Sequence, residues 1–282
     1  MASESPIISS ELDPLAPHFD AWRAAGRRAL IPYITAGYPA PADTAALLDA
    51  IADAGADIIE LGVPFSDPVA DGPTIQRASQ RALEQGVNLP WTLSALRAFR
   101  ARRDTPVVLF TYLNPVIGFG VERFIDAAVD AGAAGVLLTD LPVGADAPLE
   151  RSFLDSPLAL IRLVAPTTAP ARMLAIARGA QGFLYYVGRM GVTGARAELR
   201  ADTLAEVAAL RTQVDVPVAV GFGVSTAAQA ARIGRIADGV VVGSALIDAL
   251  DSGGVAAASA LLRGMRAELD ALAAGPQGGD TA

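Results

Sequence analysis

The chain has 282 residues and a net charge of −8; its 22 basic residues are all arginine, and it has one histidine, His18, and no cysteine. Without Cys there is no disulfide, thiolate nucleophile or Cys-bound zinc, without Lys there is no amine for a Schiff base, and one His rules out a His-rich metal cage. The acidic balance argues against non-specific binding to nucleic acid or an anionic membrane, so acid–base chemistry falls to carboxylates, Tyr or His18.

The start, Met1-Ala2-Ser3-Glu4-Ser5-Pro6, lacks the basic and apolar regions of a secretory signal. No apolar run approaches the roughly 18 residues of a membrane span. The expectation is a cytoplasmic protein. An N-terminal helix is expected over roughly Ser10–Ala25, placed to cover the lower mouth of the fold. Continuous apolar runs then alternate with amphipathic Ala/Leu-rich runs. Strand Leu30–Thr35 precedes helix Asp43–Ala54, Asp57–Gly62 precedes Thr92–Arg102, and Pro106–Tyr112 precedes Val121–Ala131. Strand Gly135–Thr139 leads to helix Ala147–Leu154, and Leu158–Val164 to Pro170–Arg178. The last three pairs are Gly182–Val187 with Ala201–Gln213, Pro217–Gly221 with Ser225–Ile233, and Gly239–Val242 with Val255–Ala273. Strands that are apolar throughout, without in–out alternation, are those of a parallel sheet covered on both faces.

Eight such units predict a single (β/α)8 TIM barrel, with an extra N-terminal helix and extra helical segments in the loops after strands 2 and 8. The expected organisation is a covering segment over residues 1–29, the barrel over 30–274 and a disordered tail over 275–282. A doubly wound open sheet is the alternative that periodicity leaves open. Strand starts lie about 22–29 residues apart in most units, but about 49 after Asp57 and about 35 after Gly182. In a barrel both excesses project from the C-terminal mouth, where active sites are built.

The first long segment carries Glu60 near the end of an apolar strand, where a carboxylate is costly unless paired, hydrogen-bonded or protonated. It reads equally well as a general acid/base with a pKa raised by burial or as a structural acceptor of backbone bonds. Asp67 and Asp71 come next, on a loop rich in Pro and Gly. They suit turn chemistry, a second carboxylate facing Glu60, or an Asp-x3-Asp cation site. The second segment begins with Tyr185-Tyr186, of which only one can face the barrel interior. It continues through the Gly-spaced run Gly188–Arg196, suited to a lid or an ordinary surface loop. In the last two units a strand is followed by Gly and then Ser, as Gly221-Phe222-Gly223-Val224-Ser225 and Gly243-Ser244. Bare backbone N–H groups at helix N-termini hold phosphate at this place in many barrels, and both serines also suit ordinary helix caps. Arg97, Arg100, Arg102 and Arg103 read as a solvated helix end, His18 as structural or exposed, and Trp22 and Trp91 as packing residues.

The run Glu60-Leu61-Gly62-Val63-Pro64-Phe65-Ser66-Asp67-Pro68-Val69-Ala70-Asp71-Gly72-Pro73 resembles the signature of the tryptophan synthase alpha chain family. Pro32–Gly37, Tyr112–Val116, Asp140-Leu141-Pro142, Gly191–Ala195, Gly221–Gly223 and Gly243-Ser244 resemble its other motifs, in family order. The resemblance covers about Leu30 to Ile247. It implies retro-aldol cleavage of indole-3-glycerol phosphate to indole and glyceraldehyde 3-phosphate. The partner implied is a beta chain carrying pyridoxal phosphate in an alpha2-beta2 assembly, and no cofactor or metal is implied on this chain. By position, Glu60 matches the general acid/base, Asp71 the second catalytic carboxylate and Tyr185 an active-site tyrosine. Gly194, Gly223, Gly243 and Ser244 match the phosphate cradle, Tyr33 an indole contact and Thr193 the lid threonine. Asp67 and Asn114 lie in regions that face the beta chain. Two departures stand out: Gly188-Arg189-Met190 where many members have Ser-Arg, and an N-terminus about ten residues longer than is typical. Other readings are a stand-alone indole-releasing lyase, a chiefly activating partner subunit, and an unrelated phosphate-binding barrel.

Overall fold

The computed structural model describes residues 13–188, 201–221 and 223–274. Its strands are β1 (Ala29–Thr35), β2 (Ile59–Gly62), β3 (Val107–Thr111), β4 (Gly135–Leu138), β5 (Ala159–Val164), β6 (Leu184–Val187), β7 (Val218–Gly221) and β8 (Gly239–Val242). They pair in parallel in chain order, and β8 returns to β1 through Leu30↔Val240 and Ile31↔Val241, which closes the barrel. That closing pair excludes the open-sheet alternative. The helices are α1 (Ala16–Ala24), α2 (Thr44–Asp53), α3 (Pro73–Glu84), α4 (Leu89–Arg100), α5 (Leu113–Phe119) and α6 (Val121–Asp130). They continue as α7 (Ala147–Leu154), α8 (Pro170–Ala177), α9 (Ala201–Arg211), α10 (Ala227–Gly234) and α11 (Ser244–Ala273).

Successive strand residues face opposite sides, so each strand serves two cores. Ile31, Ile58, Val108, Leu137, Ile161, Phe183, Ala219 and Val241 fill the barrel's lower interior. Leu30, Ile34, Leu61, Leu109, Leu160 and Val240 face outward and pack beneath the helices. Each full burial of such a side chain stabilises the fold by roughly 1.5–3 kcal/mol. The interior is packed in its lower part and leaves a cavity at the upper end.

α1 closes the lower end. Leu15 and Phe19 enter the interior cluster, and the Phe19 ring lies 5.9 Å from Phe183 and 5.0 Å from Trp22. The helix starts at Ala16, six residues later than Ser10, because Asp13 ties its entry down. The Asp13 carboxylate accepts from Leu15 N–H (2.9 Å) and from Gly182 N–H (2.6 Å). His18 is exposed against Trp22. Asp57 precedes β2 instead of opening it: its carboxylate accepts Leu30 N–H at 2.8 Å and pairs with Arg27 and Arg266. Asp238 does the same below β8 with Val218 N–H, Arg23 and Arg211.

The long unit after β2 contains a whole extra helix, α3, and the segment after β8 contains the other expected one. α11 has a break at Gly253-Gly254, where Gly254 has φ +63°. By length and composition α11 could cross a membrane. It is interrupted at that break, and Leu246, Ile247, Leu250, Leu262, Met265 and Leu269 are buried against the barrel. α5 was not expected from periodicity. It has only seven residues with a Pro inside, and its first N–H, from Leu113, is capped across the chain by Asp140 at 2.7 Å. The arginines ending α4 also depart from expectation. Arg103 pairs with Asp49 and Asp53 and Arg102 with Asp49, so they fasten α4 to α2 instead of pointing freely into water.

Candidate active site

Above the packed layers, inward positions of the strands surround a cavity of about 350 Å³. Tyr33 and Glu60 are register partners on β1 and β2, so their side chains share a level. Glu60 is fully buried, and neither carboxylate oxygen has a hydrogen-bond partner. No ion pair reaches it among the described residues. Burial alone pushes its carboxyl up to about 8, so at neutral pH it is mainly the protonated acid. That settles the structural half of the two readings: a carboxylate accepting backbone bonds would not be left without any. Tyr33 is buried beside it, within 3.3 Å of the Thr35 hydroxyl and edge-on to Phe110 with ring centroids 5.1 Å apart. The space for its ring exists because residue 62 is glycine. A Cβ there would meet the Tyr33 ring at 2.6 Å.

Asp71 reaches the same cavity from the loop after β2. The loop is held by its own turn and by α3. Asp71 N–H donates to the Pro68 carbonyl (3.0 Å), and Gln76 Nε2 donates to the carbonyls of Asp71 (2.9 Å) and Pro68 (3.3 Å). The Tyr112 hydroxyl donates to Asp71 Oδ2 (3.0 Å) and accepts Ala70 N–H (3.0 Å), which fixes the carboxylate. Burial raises Asp71 to about 6, opposed by the Tyr112 hydrogen bond, which favours the anion. Two carboxyl groups on one cavity are thus held in different states near pH 7, a protonated acid at Glu60 and an anion at Asp71. This is the arrangement by which one site supplies both an acid and a fixed negative charge.

Tyr185 lies on the far wall and faces inward; Tyr186 faces out and donates to Glu206 on α9 at 2.6 Å. Gly221 makes room for Tyr185, since a Cβ there would lie 2.8 Å from its ring. At the upper rim Gly243 lines the cavity and is the N-cap of α11, with no side-chain cap. Ser244 is the first residue of that helix. The neighbouring α10 differs. Its N-terminus is closed by a capping box in which Thr226 and Gln229 bond reciprocally, so the cap is Thr226 and not the expected Ser225. Of these two helix ends, that of α11 starts at a glycine lining the cavity and has no side-chain cap, and such an end favours an anion.

The family model described as tryptophan synthase alpha chain matches residues 19–272. Tryptophan synthase alpha chains of Alkalilimnicola ehrlichii and Laribacter hongkongensis are 51% and 49% identical to the chain. The first match covers 84% of this chain and 87% of the relative, the second 89% and 97%. The chain belongs to the tryptophan synthase alpha chain family. It is therefore a lyase of tryptophan biosynthesis and an alpha subunit by descent. Solved structures agree in fold. The alpha subunit of Legionella pneumophila superposes with a TM-score of 0.82 at 37% identity, over 92% of this chain and 99% of that one. A Mycobacterium tuberculosis tryptophan synthase structure gives 0.83 at 40%, over 90% and 97%.

Of the residues that the alpha-chain resemblance singled out, Tyr33, Glu60, Asp71, Tyr185 and Gly243 line one cavity, and Ser244 adjoins it. Gly223 follows β7 with φ +52°. Thr193 and Gly194 lie outside the described residues, as do Arg189 and Met190 of the altered lid motif. Asp67 is exposed, its carboxylate accepts from the Ser66 hydroxyl, and no group of three or more acidic or His side chains able to hold a metal occurs among the described residues. The cation reading of Asp67 and Asp71 therefore has no support. Tyr112, Phe110 and Leu163 belong to the site and were not singled out. Strand alternation from Tyr112 back to Phe110 was the available signal, since both share the inward face of β3 and its extension.

Proposed function

We propose that this alpha chain cleaves indole-3-glycerol phosphate to indole and glyceraldehyde 3-phosphate, and passes indole to a beta chain in an alpha2-beta2 assembly. The observation that carries the reading is the contrast between Glu60, buried and unpartnered with its carboxyl near 8, and Asp71, held toward the anion by Tyr112 in the same cavity.

The protonated Glu60 donates its proton to indole C3, which converts the ring to an electrophilic indolenine. Asp71, as carboxylate, accepts the indole N–H and stabilises the positive charge that develops on the ring. The Glu60 carboxylate then takes the proton of the C3′ hydroxyl as the C3–C3′ bond breaks. Its electrons return to the ring, leaving indole with one hydrogen at C3, the aldehyde of glyceraldehyde 3-phosphate, and Glu60 again protonated. The ring is its own electron sink, so the sequence needs no Schiff base, metal or cofactor on this chain. Pyridoxal phosphate belongs to the proposed beta partner. Tyr33, Phe110 and Leu163 form apolar walls for the ring, and Tyr185 stands across from Glu60. The substrate phosphate is assigned to the uncapped end of α11 at Gly243 and Ser244; Gly223, Gly194 and Thr193 are assigned to the phosphate cradle and lid by the family resemblance alone. The chain has no Lys to hold that phosphate, and backbone N–H groups suffice.

The test is indole release from indole-3-glycerol phosphate by the purified chain, with and without a beta chain. Indole formed, and formed faster with the partner, supports the reading. High turnover alone that a beta chain does not change would favour a stand-alone lyase, and no indole under either condition would reject both.

A further inference from the structure

Tyr112 is the N-cap of α5, a position that favours a short polar side chain able to accept the first free N–H groups of a helix. Its phenol is turned elsewhere, donating to Asp71 and accepting from Ala70, and gives α5 no side-chain cap. α5 has only seven residues, too few to hold its shape without outside support. That support comes from the end of β4. Leu113 N–H, the first of the helix, donates to Asp140 Oδ1 at 2.7 Å. On the other side of Tyr112, the Thr111 carbonyl accepts Thr139 N–H at 3.1 Å. The peptide groups before and after Tyr112 are therefore tied to the consecutive residues Thr139 and Asp140. The tyrosine is held at its base by these bonds, along its ring by Phe65 with centroids 5.2 Å apart, and at its tip by Ala70 N–H.

Asp140 is exposed, but the turn that follows it is anchored by a buried ion pair that the mechanism does not use. Arg162 Nη1 donates to the Leu141 carbonyl (3.4 Å) and Nη2 to Glu150 (2.6 Å), while Glu150 also accepts Gly144 N–H (2.7 Å). The pair thereby fixes the point from which the Asp140 carboxylate reaches α5.

We propose that Asp140 is a positioning residue for the reaction: by holding Leu113 N–H it fixes the backbone on which Tyr112 stands, and through Tyr112 the orientation of the Asp71 carboxylate. The proposal rests on the catalytic role given to Asp71 above. The titratable groups around Asp71 are Tyr112 at the end of β3, Tyr33 on β1, Tyr185 on β6 and Glu60 on β2, across the same cavity. Burial keeps the three phenols neutral where Asp71 titrates, so Tyr112 acts on it as a hydrogen-bond donor. Deleting the charge of Asp140 alone would ease the ionisation of Asp71. Losing the Tyr112 hydrogen bond does the reverse, so the sign of the shift separates the two effects.

The test follows Asp71 in two ways. Its carboxyl-carbon NMR resonance, identified by its loss in Asp71→Asn, is titrated in the full chain, and the acidic limb of kcat/KM is read from indole release with a saturating beta chain. Asp140→Ala should raise both by ~0.5 in pH, lowering kcat/KM ~3-fold at pH 5 and changing it little at pH 7. Asp140→Asn keeps Oδ1 and should titrate at or below wild type. Asp140→Ser, polar but one bond short of Leu113, should shift Asp71 upward and covers the case of an alanine variant that does not fold. In a Tyr112→Phe background, Asp140→Ala should move neither value further. An unmoved resonance in Asp140→Ala, an equal upward shift in Asp140→Asn, or an undiminished shift in the Tyr112→Phe background would overturn the proposal. A uniform loss of turnover with both values fixed would also overturn it and leave Asp140 a structural cap. If the resonance moves and the kinetic limb does not, the hold of Asp140 on Asp71 stands and the catalytic role of Asp71 falls.

Discussion

Replacing Glu60 by Gln should stabilise the protein while removing its activity, and the stabilisation should depend on pH in a specific way. Gln fills the same space and is neutral in both the folded and unfolded states. Glu60 in the unfolded chain titrates at its ordinary 4.5, and in the folded chain near 8. Between these values the folded state holds a proton that the unfolded state has lost, so stability falls as pH rises through this window. Each tenfold change in proton affinity is worth about 1.4 kcal/mol, which makes the total cost to the wild type about 5 kcal/mol once pH exceeds 8. At pH 7 about 3 kcal/mol is already lost, and at pH 5 less than about 1 kcal/mol. Urea unfolding of both proteins from pH 5 to 9 measures this difference directly. The other carboxylates, Asp71 included, are common to both proteins and largely cancel. Glu60→Gln should gain little at pH 5, gain steadily to pH 8 and then level off, while turnover drops at least ~100-fold. A gain that does not vary with pH would mean that Glu60 is not held protonated by burial, and the assignment of the proton donor would fail with it.

The same geometry makes three further predictions. With Asp71 titrating near 6 and Glu60 near 8, kcat/KM should rise with pH as Asp71 ionises and fall as Glu60 loses its proton; a flat profile from pH 5 to 9 would contradict the two roles. Tyr112→Phe deletes the hydrogen bond that favours the Asp71 anion, so the acidic limb should move to higher pH and the basic limb should stay; a pure loss of rate with both limbs fixed would make Tyr112 a packing residue only. Gly221→Ala places a methyl against the Tyr185 ring, which should cost about 1–3 kcal/mol in urea unfolding and raise KM; wild-type stability would show that the ring swings aside freely.

The elements legible in sequence were those whose pattern is local. All eight strands are short apolar runs within a residue or two of where they form, and the two long intervals mark the mouth that carries Asp71. The alternation rule correctly allows one of Tyr185 and Tyr186 inward, and the side chain that turns outward has its own partner in Glu206. What was missed depends on residues distant in the chain. The short helix α5 is capped by Asp140 from the next unit. Tyr112 matters because the fold sets it against Asp71, 41 residues earlier. Both Ser225 and Thr226 suit the cap of α10, and Gln229 decides between them by bonding back to the turn. Glu60 lay between the two cases. Its cost in an apolar strand was visible, but its lack of any partner became apparent only once the surrounding strands were in place.

The central claim is that a buried, protonated Glu60 and a Tyr112-held Asp71 act together on the indole ring. It is tested most directly by following indole release from indole-3-glycerol phosphate by wild type, Glu60→Gln and Asp71→Asn, each with a saturating beta chain. Wild type should form indole, and each variant should lose at least ~100-fold in turnover, or about 3 kcal/mol, while still binding substrate. Near-normal turnover in either variant would contradict the account.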